Sequence, residues 1–261
     1  MNIDYNLKLR ESYSNKITHF ANSIKEFADN SLPVPFIPVI GKNYGIKLPK
    51  ILFLGWETRG SKNLADWVKE VEEFIEKAFT WYGDEFTDLE YLNWKINFNN
   101  DFWSFNLKLL GKIHNIKDWR DLYRDPDAYF DILSSFAWAN TDSIERYEVT
   151  AQKLGARQED WARLKEASRI FDNFKLLTDT LEPEIVVLMN GEMSEDWLLN
   201  DIKIKFESEP QEFLWYYECE EPKMHLFWTS HPRGHQQKGI NQNQLVDNIV
   251  SIYRSHIKNI Q

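Results

Sequence analysis

Apolar positions along the chain follow two periods. From about Tyr5 to Ala28 they recur at roughly helical spacing (Tyr5, Leu7, Leu9, Tyr13, Ile17, Phe20, Ala21, Ile24, Phe27), which predicts an amphipathic helix on the outside of a core. The prolines of "NSLPVPFIPVIG" end it. The uninterrupted run from Lys50 to Leu54 predicts a strand covered on both faces, as in parallel sheets. "SKNLADWVKEVEEFIEKAFTWYG" returns to the helical period, with Ser61 as N-cap and Gly83 beyond its end. Residues 86 to 130 are aromatic and predict further helix with irregular breaks. "AYFDILSSFAWANT" predicts a turn or helix end entering a short strand that stops at Asn140 and Thr141. "QEDWARLKEASRIFDNFKLLTDTLEP" is the clearest long helix, and Pro183 terminates it.

After that helix, "EIVVLMNG" predicts a second β-branched strand ending at Gly191, followed by a helix-like "EMSEDWLLNDI". "EFLWYYEC" and "MHLFWTS", separated by the turn-like "EEPK", predict two more strands. A helix from about Asn241 to Ile257 closes the chain. Strands alternating with helices predict an α/β fold around a mainly parallel sheet with helices on both faces, whose ligands sit beyond the carboxyl ends of the strands. Four strand ends there carry polar groups: Glu57, Asn140, Asn190 and the Ser230/His231 pair.

Composition narrows the picture. With 261 residues, 43% of them hydrophobic, one large core is favoured, and residues 1–261 read as a single domain with an N-terminal helical extension over about 1–48. Lys and Arg total 31 against 41 Asp and Glu, a net charge of -10, so a nucleic-acid role has to rest on a local basic patch. Arg59, Lys62, Arg233 and Lys238, with His235, form such a patch if their two loops adjoin; otherwise they are solvated charges paired with the surplus acids. The single cysteine, Cys219, precludes an intramolecular disulfide and any zinc or iron–sulfur site with four cysteine ligands. No metal or cofactor is expected. The N-terminus lacks the apolar stretch of a signal peptide and no run reaches the length of a membrane span, so a soluble, cytoplasmic chain without a membrane partner is expected.

The four strand ends, in their order, resemble the uracil-DNA glycosylase superfamily. The residues that carry the resemblance are "FLGWETRG", "FAWANT", "EPEIVVLMNG" and "FWTSHPRG", over about residues 49 to 257. It implies a three-layer αβα sandwich and an N-glycosidic hydrolysis that uses no cofactor. It also implies that Glu57 activates or positions water, Asn140 reads a base edge and His231 hydrogen-bonds the base carbonyl as the glycosidic bond breaks. Trp56 and Tyr44 are candidates for stacking on a base. The chain departs from the pattern where Thr58 and Arg59 follow the acid, and where Arg233 stands in place of the serine after His-Pro.

Each residue has a plainer reading. Glu57 suits a helix entry, Asn140 and Asn190 suit strand-end turns, His231 before Pro232 can close a turn, and Trp56 and Tyr44 can belong to the packing of a chain with 11 tryptophans and 17 phenylalanines. Two functions therefore stay open. One is a monofunctional DNA glycosylase of base repair, with DNA or a nucleotide as partner. The other is a non-catalytic module on the same fold that binds a nucleotide, single-stranded nucleic acid or a protein.

Overall fold

A computed structural model describes residues 4–23, 38–55, 100–141, 173–190, 196–200, 202–208 and 213–258. The chain divides into two compact units. The first comprises Met1–Val39, Gly55–Glu85 and Trp138–Leu181, and the second Ile40–Leu54, Phe86–Ala137 and Glu182–Gln261. In the first unit, helix α1 (Tyr5–Ser23) buries Tyr5, Leu9 and Tyr13, which lie at successive i, i+4 positions on one stripe. That helix packs against a later one, Asn173–Leu181 (α5 in the order below).

The elements run, in chain order, β1 (Val39–Ile40), β2 (Ile51–Gly55), α2 (Asp101–Ile113), α3 (Asp121–Arg124), α4 (Phe130–Leu133), β3 (Phe136–Asn140), α5 (Asn173–Leu181), β4 (Ile185–Leu188), β5 (Lys203–Glu207), β6 (Leu214–Glu221), β7 (Met224–Thr229) and α6 (Gln242–Lys258). Short 3-10 turns at Asp196–Leu199 and Pro232–Gly234 complete them. The strands form one seven-stranded sheet in the order β1-β3-β2-β4-β7-β6-β5, flanked by helices in an α/β fold.

The sheet is mixed. β2, β4 and β7 are mutually parallel neighbours, with Phe53 opposite Val187 and Val187 opposite Phe227. β6 runs antiparallel to both β7 and β5. The expectation of a mainly parallel sheet is corrected to this extent: only two residues link β6 to β7, and a parallel return needs a crossover of about a dozen. β5, with five exposed residues, is an edge strand whose ladder is interrupted by two register shifts and which carries Lys203 and Lys205, features that discourage further pairing.

Two helices cover one face of the second unit's sheet. Trp103 of α2 lies against Phe136 of β3 with ring centroids 6.1 Å apart, and Tyr253 of α6 meets His225 of β7 edge-on at 5.5 Å. The α2 sequence encodes both of its ends. Asn100 accepts a hydrogen bond from the Phe102 N–H at 2.9 Å as N-cap. At the other end Asn115 adopts φ 60°, the Ile116 N–H reaches the Gly111 carbonyl at 2.7 Å and the Asn115 N–H reaches that of Lys112 at 3.3 Å, a Schellman stop. Glycine suits position 111 because a Cβ there would crowd Trp119 at 3.0 Å.

Strand order locates the topological switch of the sheet. The chain goes from β2 to β3 on one side and then to β4 on the other, so the topological switch lies between β2 and β4. Open α/β sheets bind ligands beyond the carboxyl ends of strands at such a point.

Candidate functional site

In the second unit, the carboxyl ends of β4 and β7 carry the polar groups. Register places Leu188 opposite Trp228, and two residues past Leu188 the Asn190 Oδ1 accepts a 2.6 Å hydrogen bond from the Trp228 indole. Asn190 is 6% exposed, so this strand end is closed down by an indole rather than left as a solvated turn.

His231 follows β7 by two residues. Its half-buried ring stacks on Phe102 of α2, with centroids 5.9 Å apart and planes inclined by 22°. Its Nδ1 accepts the Arg233 N–H at 3.2 Å as the cap of the Pro232–Gly234 turn. An accepting Nδ1 places the proton of the neutral imidazole on Nε2, which makes that nitrogen a donor. The same turn presents Arg233, and Lys238 lies four residues beyond its end; both are exposed, and the Lys238 ammonium stands 5.9 Å from the Phe213 ring centroid.

A second histidine holds this loop from beneath. His235 is fully buried, its Nε2 lies 2.8 Å from the Ser230 carbonyl, and its ring meets Phe105 of α2 edge-on at 5.5 Å. A carbonyl can only accept, so Nε2 carries the proton and Nδ1 is the bare nitrogen; it has no hydrogen-bond partner. Burial pushes the pKa of His235 below its ordinary value. The hydrogen bond to Ser230 and the charge of Asp101 oppose that shift, while Lys238 and Lys108 add to it.

Other polar atoms around α2 and the end of β7 are buried without a partner: both amide atoms of Asn106, the Thr229 Oγ1 and the Ser230 Oγ. Each such group costs roughly 1–3 kcal/mol relative to a satisfied one. Among the described residues, no cluster of three or more His, Cys, Asp or Glu is placed to hold a metal ion, and no helix is long and apolar enough to cross a membrane.

The other sequence-derived residues fall as follows. Asn140 belongs to the first unit, where it ends β3 with 4% exposure; the next residue, Thr141, donates its N–H to the Gly55 carbonyl at 2.9 Å, so the ends of β3 and β2 meet. The chain leaves Gly55 directly into Trp56 and Glu57, which, with Arg59 and Lys62, lie outside the described residues. Tyr44 sits in the loop that feeds the amino end of β2, tied by an isolated bridge to Lys47, and its side chain is 4% exposed. Because β2, β4 and β7 run parallel, that is the opposite sheet edge from His231, so the two do not meet in one crevice and the Tyr44 ring offers no open face there.

Sequence reasoning passed over Phe102, Asn106 and Trp228, and gave His235 only a place in the basic rim. Phe102, Trp228 and Asn106 look like ordinary members of aromatic or helical runs, and their roles appear only once α2 is laid beside the end of β7. Comparison with family models, curated proteins and solved structures finds no match to this chain.

Proposed function

We propose that the chain is a uracil-DNA glycosylase-like hydrolase, a three-layer αβα sandwich that cleaves the N-glycosidic bond of a flipped uracil or other damaged base in DNA. The observation that carries this reading is the placement of His231 at the carboxyl end of β7, its ring stacked on Phe102 and its Nδ1 accepting the Arg233 N–H. A donor fixed in this way suits the charge that grows on a leaving base.

In this mechanism the bond between the anomeric carbon and the base nitrogen breaks and its electron pair goes to the base. The Nε2–H of His231 hydrogen-bonds the base oxygen as that charge develops. Water adds to the anomeric carbon, and its proton passes to the Glu57 carboxylate and from there to the departing base. Asn140 reads the base edge and Arg233 and Lys238 hold phosphate. A second reading has a specific basis as well: with a net charge of -10, and with Thr58, Arg59 and Arg233 departing from the family's loops, the same fold serves a non-catalytic module for a nucleotide, single-stranded nucleic acid or a protein.

The test is an excision assay at low salt on oligonucleotides carrying uracil and other lesions. The glycosylase reading expects base release that falls sharply in Glu57→Gln and His231→Ala, with melting temperatures near that of the parent protein. Folded protein that releases no base from any lesion would sink the glycosylase reading and leave the binding module to be tested with free nucleotides, single-stranded nucleic acid or a protein partner.

A further inference from the structure

The seam between α6 and the β6–β7 ribbon holds a second group of titratable side chains, away from the strand ends of the candidate site. His225 stands near the amino end of β7 and is half-buried. Its Nδ1 lies 2.9 Å from the hydroxyl of Tyr216 on β6, a residue 1% exposed, and its ring meets Tyr253 of α6 edge-on at 5.5 Å. Three residues further along α6, the His256 ring lies 5.1 Å from that of Tyr216 and 5.9 Å from that of His225. The His256 Nδ1 faces one oxygen of the Glu218 carboxylate at 3.4 Å, while Lys205 of β5 holds the other at 2.6 Å. Packing alone does not call for two histidines in such a seam, since aliphatic side chains would fill it without polar atoms to satisfy.

The charges around His225 come from every element packed on it. His256 arrives from α6, Glu218 from β6, Lys205 from β5 and Lys223 from the β6–β7 turn. Glu184, before β4, accepts the His225 N–H at its carbonyl, 2.9 Å away. Burial and then Glu184 push the Tyr253 phenol up to about 12, so it stays neutral. Of the groups that act on His225, Glu218 alone favours a proton there, and it is already shared by Lys205 and His256.

We propose that the end of α6 is a proton-operated clasp, closed on the β6–β7 ribbon while His225 is neutral and opened in mild acid when His225 takes a proton. A neutral ring can accept the Tyr216 hydroxyl at Nδ1; a protonated ring carries an N–H on both nitrogens and cannot. A proton on His256 alone tightens the clasp through Glu218. A further proton on His225 sets two cations 5.9 Å apart beside one engaged carboxylate, and lifting Tyr253 and the residues after it relieves both the repulsion and the burial. Burial, and next the charge of His256, hold the His225 pKa below the ordinary 6.5. The closed clasp is therefore at full strength above pH 6.5 and weakens as pH falls from there. The salt bridge of Asp247 to Lys112, at 2.8 Å, ties down the earlier part of α6. Arg254 lies in the part that lifts, and its guanidinium donates to the Lys112 carbonyl at 3.0 Å and to Asn115 Oδ1 at 2.6 Å, so opening also uncaps the end of α2.

The experiment follows amide hydrogen exchange from about pH 8 to about pH 5, as protection factors corrected for the intrinsic rate, while NMR tracks the His225 ring. Amides from Tyr253 to the end of α6 should lose protection below pH 6.5, by up to about tenfold per pH unit for one proton, while those of β2 and β4 keep theirs. His225→Asn leaves an acceptor near the position of Nδ1 without a titrating group, and should abolish most of this pH dependence. In the parent protein the loss of protection should follow the ring titration of His225, which keeps the proposal testable where the variant misfolds. Protection at the end of α6 that ignores pH, an equal loss in β2 and β4, an unchanged pH dependence in folded His225→Asn, or a His225 titration unrelated to the loss would each overturn the clasp.

Discussion

Replacing His235 with phenylalanine tests how the loop after β7 is held. The substitution keeps a ring to meet Phe105 edge-on and removes the 2.8 Å bond to the Ser230 carbonyl. Ser230 is 2% exposed, so its carbonyl has no ready access to water. Losing a buried hydrogen bond and stranding its acceptor costs about 1–3 kcal/mol, and removing the unpartnered Nδ1 returns part of that, so a net loss of about 1–2 kcal/mol is expected. For a chain of this size that lowers the melting temperature by roughly 2–8 °C. The pH dependence is the sharper readout. Burial lowers the folded-state pKa of His235 below the ordinary 6.5, so the unfolded chain binds the extra proton first. Its stabilising contribution is therefore complete above pH 6.5 and is lost as pH falls from there through the lowered folded value. His114 and His225 are shifted in the same direction, also mainly by burial, but they are present in both proteins and cancel in the difference. Urea denaturation at a series of pH values should show His235→Phe less stable at pH 8 and the gap narrowing as pH falls below 6.5. A gap that stays constant or widens on acidification would refute a neutral, proton-donating His235.

Three further outcomes follow from the same geometry. Gly41→Ala should destabilise the protein by about 2 kcal/mol or more, read as a lower denaturant midpoint, because the new Cβ would collide with the Ser134 carbonyl while the Gly41 N–H to Phe136 and Asn43 N–H to Ser134 bonds, at 3.0 and 2.8 Å, hold both segments in place. Trp228→Phe removes the 2.6 Å donor to Asn190 and should cost roughly 1–3 kcal/mol; an unchanged midpoint would show the bond to be dispensable. If the chain binds DNA through Arg233 and Lys238, the slope of log affinity against log salt should be shallow, about one unit per neutralised phosphate, and neutralising both should weaken all sequences alike. A loss confined to one base context would make Arg233 a base reader.

The elements legible in the sequence were those whose pattern is local. Ile51–Gly55 and Ile185–Leu188 stood out as β-branched or apolar runs because strands covered on both faces need no polar alternation. The end of Phe136–Asn140 and the closing helix were likewise visible from their flanking polar residues. Strand direction was not encoded in any single run, so the antiparallel β6 emerges only from its two-residue link to β7. β5 escaped notice because "KIKFE" is exposed throughout and buries no face, and β1 because it is two residues long in a proline-rich stretch. In the site, Ser230, His231 and Asn190 could be picked out as polar residues after apolar strands. The indole bonded to Asn190, the ring beneath His231 and the unpartnered amide of Asn106 could not, because each depends on a residue distant in sequence.

His231 also bears on whether this strand end is a site or a turn. Closing a turn before Pro232 requires only the cap from Nδ1 to the Arg233 N–H, and a serine or aspartate oxygen would accept that bond as well. The histidine does more than this. Its ring lies on Phe102 from another element, its preceding carbonyl is tied by a second, fully buried histidine, and that second histidine is itself braced by Phe105 one helical turn below Phe102. One histidine and two phenylalanines thus restrain the half-buried ring of His231 through contacts that a turn does not need. Restraint of this kind lowers the entropy lost when a group engages a ligand, and it is favourable for function where the group must be held in one orientation and one tautomer. Truncating Phe102 should therefore impair whatever His231 does while leaving the turn's own hydrogen bond in place.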